Sequence, residues 1–533
     1  MPDECGYTHD VSTERFADMA GGTWVCTREA VADGDRCVFH APVDSTDDAT
    51  VRESLLEAVR NEQGALRLVG ARLGALDLDY ALLSGRSNHP IDLRDAHLSG
   101  EFSARYATVE RPLRLEGASL ARLDVEDATF ERRVDFGETT FEGRVSLRMA
   151  EFKSWLDIRD ASFEGAVYAR VARFRRGIYG VDATFHAAAD FLNTYFADVA
   201  NFYRTTFRAG AVFNSSTFEG NAQFNEGTID GPAVRLESAS GSPRSERETI
   251  AGVALSIAGV TCGRDLRLVG TELGGDVRFT DSDLGRDLRC TEVSTTGETV
   301  VDCSGSAVIE GTVDGEVTCD LTDAEVGELE LGDGGFSATR FEKTTFSGFD
   351  FGAYKRELAA RNWRLHGETD GGVEPEEIEN LYLRAKNGAS AVGETRAAAE
   401  FFIKEMTYRK AGHRRRALGE GSLGQRLRAA GRWLSNKSLG VTCGYGERPF
   451  RPVLFSLVLI VVFAVVYAAL DAPITYAEPF GYLTFSTEGF VSLILGLPRV
   501  TGSALSFVLA FEGFLGGFII ALFVFTLTRS ISR

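Results

Sequence analysis

The chain has 533 residues, with 57 Lys and Arg against 77 Asp and Glu, a formal charge of -20 and a pI near 5.0. That length suffices for several domains, and the acidity excludes a nucleic-acid binder, since phosphate contacts need concentrated Lys and Arg. Lys is scarce beside Arg, Asp and Glu, which fits either the proteome bias of a salt-loving microbe or an ordinary acidic surface, because charge reports on solubility and not on fold.

The opening MPDECGYTHDVSTERF lacks the apolar core of a signal peptide. Residues 1–42 hold Cys5, Cys26 and the tight pair Cys37 and His40. Three thiolates and an imidazole make a tetrahedral zinc set, and a segment too short for its own core gains most from a metal. Structural zinc is therefore expected, with His9 as a rival ligand and free structural thiols as the alternative. Four protein ligands would leave no position open to a substrate. Across 43–63, Val51, Leu55, Leu56 and Val59 share one helical face. A helix over Asp47–Arg60 is expected there, started by Ser45 or Thr46, and its place is to cap the N-terminal end of a solenoid.

From residue 64 the chain repeats. Phe130, Phe141, Phe152, Phe163, Phe174, Phe185, Phe196, Phe207, Phe218 and Ile229 stand eleven apart without a slip. Between them runs a second row, Phe136, Leu147, Ile158, Ala169, Gly180, Phe191, Phe202, Phe213 and Phe224. Small residues such as Ala128, Ala150, Ala161, Ala172, Ala183, Thr205 and Ser216 stand two before the first row, so large and small side chains point to one side of an extended chain. A Leu-centred version precedes it (Leu68, Leu73, Leu78, Leu83, Leu93, Leu98, Val109, Leu115, Leu120, Val125). The pattern resumes at Cys262, Leu268, Leu273, Phe279, Leu284 and Cys290, and closes at Leu331, Phe336, Phe341, Phe346 and Phe351. The Ser-rich Glu237 to Thr249 carries neither row and reads as an excursion between two arrays, 64–236 and 249–351. Cys262, Cys290 and Cys303 fall near inward positions, as small buried thiols in preference to a metal site.

These rows resemble the Phe-rich variant of the pentapeptide-repeat family. The resemblance implies a mainly β fold, a right-handed quadrilateral β-helix. With four faces per turn, 64–351 makes about a dozen turns and a rod on the order of 60 Å long.

Residues 352–418 read as a helical linker, with Ile378, Leu381, Tyr382 and Ala385 on one helical face and Ala398, Phe401, Phe402, Glu405 and Met406 on the next, an αα-hairpin. In 419–451, Leu423, Leu427, Ala430 and Trp433 or Leu434 face one way and Arg426, Arg428 and Arg432 the other. Such a helix lies in the headgroup layer or packs on the linker.

In 452–533 two apolar runs, Val453 to Leu470 and Ala504 to Leu527, flank a semi-polar dip from Leu483 to Gly496. Each run is about as long as the roughly 20 residues a helix needs to cross a bilayer. The segment Tyr482 to Leu497 is too short to cross, so it enters and turns back, which needs protein or water partners at membrane depth. Arg414, Arg415, Arg416, Arg426, Arg428, Arg432, Lys437, Arg448 and Arg451 precede the first run, and Arg529 and Arg533 come after the second. The connecting segment holds only Arg499 against Asp471, Glu478 and Glu488. Positive charge stays inside. A multi-pass protein of the cell membrane is expected, with both termini and the solenoid cytoplasmic; disulfides are then not expected.

The strings LYLRAKNGASAVGETRAAAEFFIKEM and GYGERPFRP resemble prokaryotic proteins that join pentapeptide repeats to an ion-channel domain. The last module is similar in outline to the two-span potassium-channel family, and the resemblance implies a homo-tetramer around a monovalent-cation path. The family's filter, TTxGxGD, aligns with Val491 to Leu497 and so places Ser492, Leu493, Ile494, Leu495 and Gly496 along it; Ser492 and Gly496 match in kind, while Ile494 stands in place of the first glycine and Leu497 in place of the acid. Ordered carbonyl rings select the ion, and Ile suits such backbone poorly. Weak conduction, or little preference for potassium over sodium, is expected.

Glu512 lies inside the second run, where an ionisable group faces protein or water. Its expected partner is Ser486 or Thr487, with an ion-binding ring as the alternative. Gly513, Gly516 and Gly517 permit close helix contact or a gating hinge. No catalytic set is apparent, and no enzyme is expected. The sequence thus points to an all-α two-span ion-channel-like module carrying a cytoplasmic solenoid as sensor or docking element. The alternative is a non-conducting membrane-anchored scaffold whose solenoid binds a protein partner.

Overall fold

The computed structural model describes residues 4–19, 21–32, 34–85, 88–237, 246–249, 252–315, 317–365, 373–472, 480–496, 500 and 502–531. It falls into two compact units, Met1–Phe349 and Asp350–Arg533.

The first unit is built around a parallel β-solenoid. In its regular part each turn takes 22 residues and four two-residue strands. Thr129–Phe130, Val134–Asp135, Thr140–Phe141 and Val145–Ser146 make one turn, and Glu151–Phe152 returns to pair with the first. One column runs by consecutive parallel pairings through Leu66, Ile91, Leu113, Val134, Leu156, Ile178, Ala200, Ala222, Leu266, Leu288, Gly311 and Leu329, which is twelve levels.

The eleven-residue Phe row splits into two columns. Phe130, Phe152, Phe174, Phe196 and Phe218 stack on one side with ring centroids 4.9, 5.3, 5.2 and 4.7 Å apart. Phe141, Phe163, Phe185 and Phe207 stack on another at 4.7, 4.6 and 4.8 Å. Both expected rows are buried, as are the small residues beside them. Where Ser or Thr takes a small position, its hydroxyl donates to a carbonyl on the preceding turn: Thr139 to Leu115 (2.7 Å), Thr194 to Ala169 (2.8 Å), Thr205 to Gly180 (2.6 Å) and Ser216 to Phe191 (2.7 Å). The buried polar atom is thus satisfied.

Between strands the chain turns through a left-handed residue every eleven positions, at Asp127, Glu138, Met149, Asp160, Val171, Asp182, Asn193, Arg204, Ser215 and Glu226. None of these is glycine.

The excursion is a hairpin, Val234–Glu237 antiparallel to Glu246–Thr249, with 238–245 outside the described residues. Beyond it the strands lengthen, to eight residues in Leu288–Thr295 and nine in Ala307–Gly315. Cys262, Cys290, Cys303 and Cys319 are all buried there as free thiols. Burial, with Asp283 nearby, pushes the Cys262 thiol up to about 12, as for an inert core group.

At the N-terminal end, helix α1 (Asp48–Asn61) buries Val51, Leu55, Ala58 and Val59 and packs on the strands Leu76–Asp77 and Leu82–Leu83. Its N-cap is Asp47, one residue beyond Thr46 and two beyond Ser45, the expected caps. Ser45 spends its hydroxyl on the Pro42 carbonyl, Thr46 and Asp47 are both extended, and the helix begins only at Asp48, which makes Asp47 the last non-helical residue. At the other end, the buried Arg111 guanidinium donates to the carbonyls of Val59 (3.2 Å) and Gly64 (2.7 Å), supplying partners that a helix terminus lacks.

The second unit is helical. Helices α2 (Pro375–Ala391) and α3 (Thr395–Leu418) form the hairpin. Their seam holds the buried Glu405, which accepts from Lys386 (2.8 Å) and Arg409 (2.7 Å), and Arg409 also reaches Glu379 (2.7 Å). Helix α4 (Leu423–Cys443) packs on α3 and opens with a reciprocal Ser422–Gln425 capping box. Helices α5 (Phe450–Ala469), α6 (Gly481–Phe490), α7 (Ser492–Leu495) and α8 (Ser503–Ile531) complete the chain. α5 and the segment Ser503–Arg529 are long and apolar enough to cross a membrane, with mean hydropathies of 2.7 and 2.3.

Candidate functional site

Two constellations carry chemistry, one in each unit. In the first, Cys5 and Cys26 arrive on extended segments, Cys26 just after the strand Thr23–Val25, while Cys37 and His40 come from one turn closed by the His40 amide on the Cys37 carbonyl (2.9 Å). All four are buried, and their ligand atoms lie within 4.8 Å of one another. Cys37 Sγ is 3.1 Å from His40 Nδ1, Cys5 Sγ is 3.8 Å from it, and Cys26 Sγ is 3.8 Å from Cys37 Sγ. Zinc bonds of about 2.3 Å to sulfur and about 2.0 Å to nitrogen give a tetrahedron edges of roughly 3.5 to 3.8 Å. The separations within the cluster, from 3.1 Å to no more than 4.8 Å, bracket that size.

The ring is oriented for the task. His40 Nε2 donates to the Val69 carbonyl (3.0 Å), which leaves Nδ1 as the lone-pair nitrogen facing the sulfurs. Tyr7 stacks on the ring at 4.0 Å. The hydrogen bond between Cys26 and Cys37 pulls the Cys26 thiol well down and pushes the Cys37 thiol up. His9 is engaged elsewhere, with Asp95 (2.8 Å) and the Tyr7 hydroxyl (3.2 Å).

The cluster also ties the N-terminal segment to the first turns. Val69 belongs to a buried group with Val11, Phe16 and Met19. Beside it the buried Arg94 pairs with Asp92 (2.6 Å) and Asp18 (2.8 Å) and lies 4.6 Å from the Phe16 ring. Neither Arg94 nor Arg111 stands out in the sequence, because Asp18, which Arg94 reaches beside the neighbouring Asp92, and the carbonyls that Arg111 reaches are distant along the chain.

The second constellation is centred on Glu512 of α8. One carboxylate oxygen accepts from the Tyr467 hydroxyl of α5 (2.6 Å), the other from the Ser486 hydroxyl of α6, and all three residues are fully buried. A single acid thus joins three helices. Ser486 is one of the two expected partners. Thr487 instead bonds the Leu483 carbonyl (2.8 Å), because it lies on the exposed side of α6. Tyr467 had no signal beyond a lone hydroxyl in an apolar run.

Glycines seat α6 and α7 on α8. A Cβ on Gly516 would come 1.9 Å from the Phe490 carbonyl oxygen, one on Gly513 2.2 Å from Ser492 Oγ, and one on Gly517 2.2 Å from Leu493. Between the close-contact and hinge readings, this geometry supplies a reason for close contact.

Ser492, Leu493, Ile494 and Leu495 form a helical turn, closed by the Leu495 amide on Val491 and the Gly496 amide on Ser492. Their carbonyls run along the turn, and an extended carbonyl row is not formed among the described residues 492–496. Leu493, Ile494 and Leu495 are exposed, and Gly496 takes φ +95°. Leu497, Arg499 and Glu478 lie outside the described residues.

The chain matches no family model, no curated protein and no solved structure among those with which it was compared.

Proposed function

We propose that the chain is the subunit of a membrane channel or channel-like assembly, a homo-tetramer in the cell membrane. Its solenoid and both termini would be cytoplasmic, and the solenoid would act as a sensor or docking element. The observation that carries this reading is α6, a helix too short to span, held between two apolar helices by the Glu512 network. A buried acid at membrane depth with every oxygen hydrogen-bonded is a device for fixing a re-entrant element. The resemblance to pentapeptide-repeat proteins and to two-span potassium channels supports the same reading, and with it a right-handed, four-sided solenoid. The Cys5, Cys26, Cys37 and His40 set would hold one structural zinc, and the path at Ser492–Gly496 would pass a monovalent cation.

Single-channel recording of the purified protein in planar bilayers tests this. Unitary currents carried by potassium or sodium are expected, with reversal potentials showing little preference between them. The helical turn at Ser492–Leu495 favours a second reading, a membrane-anchored scaffold that does not conduct. Silence in both the native chain and an Ile494→Gly, Leu497→Asp variant would select it.

A further inference from the structure

We propose that the corner between α3 and α4 is a binding site for a water-soluble, doubly charged phosphate anion. A cavity of about 390 Å³ opens there, lined by Arg416, Arg426, Arg428, Arg432 and His413, with Glu420 as the one acid in its wall. That volume lies in the usual range for small-ligand pockets, roughly 300 to 1,000 Å³.

Four guanidiniums in one corner repel one another unless an anion joins them. Arg416 has Glu376 at 3.7 Å, and Arg426 donates to the Ala417 carbonyl (3.2 Å). Arg428 and Arg432 are exposed and have no ion-pair partner among the described residues. With Glu420 and Glu376 set against the four arginines, a surplus of two positive charges remains. A dianion matches it.

His413 adds a donor without adding charge. Burial, and then Arg416 and Arg432, hold its imidazole below the ordinary range, so it is neutral near pH 7. Its Nδ1 accepts from Arg416 (3.2 Å), which puts the proton on Nε2. The positive end of the α4 dipole lies at the same corner, where it favours anions.

A lipid headgroup and a free phosphate compound share this chemistry, and the geometry of α4 separates them. At about 100° per residue, Leu423, Leu427 and Leu434 fall on one face, all exposed, and Arg428 and Arg432 fall on the far side. With the leucine face towards the bilayer, the pocket faces water. This choice rests on reading α5 and α8 as membrane spans.

The test uses the full chain in nanodiscs of phosphatidylcholine, and of phosphatidylcholine with phosphatidylglycerol, titrated calorimetrically with inorganic pyrophosphate near pH 6, where it is chiefly the dianion. One pyrophosphate per chain is expected, with the same affinity in both discs. Arg428→Gln and Arg432→Gln should each weaken it by about tenfold or more, as for a lost charge-assisted hydrogen bond. Charge-matched single controls, Arg414→Gln or Lys437→Gln, each altered outside the cavity, should leave it unchanged. Equal weakening by either control, or no saturable binding, would overturn the site. Loss of binding only in phosphatidylglycerol discs would mean that a lipid headgroup occupies the corner, and would overturn the soluble ligand. A chain that stays in solution without detergent and still binds pyrophosphate would overturn the spanning reading while sustaining the pocket.

Discussion

Between Phe130 and Phe224 the solenoid repeats one contact level after level, with stacked rings 4.6 to 5.4 Å apart. The C-terminal apolar helices meet instead through contacts made once: one acid between two hydroxyls, and a few glycines under two short helices. Repetition spreads stability over many similar interfaces, so each level leans only on its neighbours. A contact made once concentrates it. The N-terminal segment shares the second pattern although it belongs to the first unit, because the first turn of a solenoid has no preceding turn to bury its apolar edge.

The sharpest break of that contrast is Cys37→Ser. A structural zinc in a small coreless segment contributes on the order of 10 kcal/mol to its folding. The native chain should carry about one equivalent of zinc, the variant none, and hydrogen exchange should show residues 4–42 opening while the Phe-rich levels stay protected. A metal-free native chain with residues 4–42 fully protected would leave only the free-thiol reading.

Next is Phe174→Ala. Phe174 is fully buried between Phe152 at 5.3 Å and Phe196 at 5.2 Å. Its loss should cost about 3 to 5 kcal/mol, as for other buried rings, and Phe174→Leu under about 1.5 kcal/mol. Exchange should quicken at the levels beside it and little elsewhere, as expected where stability is a sum of neighbour terms. Uniform loss of protection across all twelve levels would show one cooperative unit instead.

In the C-terminal apolar helices, Gly516→Ala is the counterpart. The new methyl would meet the Phe490 carbonyl oxygen, a backbone atom that has to move. Overpacking of this kind costs about 1 to 3 kcal/mol, read as a lower melting temperature in detergent micelles. An unchanged melt would mean that α8 has room to hinge at this point.

The repeat was legible because one physical demand, a large side chain inside every half-turn, recurs at Phe130 and each eleventh residue after it. The Cys and His cluster was legible for the same kind of reason, since few residue types bind zinc and Cys37 lies three before His40. What stayed hidden depends on partners that no spacing encodes. Arg94 finds Asp18, Arg111 finds the end of α1, and Tyr467 finds Glu512 through the folded chain alone. The Ser492 to Gly496 string resembles an extended filter in sequence, yet local hydrogen bonding closes it as a helical turn. The left-handed corners were hidden for another reason: at 127 and each eleventh residue after it the types include Asp and Asn but also Met149, Val171 and Arg204. The Phe ladder on either side dictates the backbone there, whatever residue occupies the corner.

That last point sets the smallest effect. Val171 holds φ +62° and is 41% exposed, so it bears the strain of its corner without a packing role that a replacement would forfeit. A left-handed conformation costs an L-residue about 1 to 2 kcal/mol, and a β-branched one is among the least suited to it. Asn tolerates this region and already occupies the equivalent corner at Asn193. Val171→Asn should therefore stabilise the solenoid by about 1 kcal/mol, read from slower exchange at the Val167–Tyr168 and Arg173–Phe174 strands that flank it. The gain should stay local, since the ladder confines each change to neighbouring levels. Unchanged or faster exchange would mean that the corner geometry relaxes around valine, and that the repeat tolerates irregular residues by bending instead of by bearing strain.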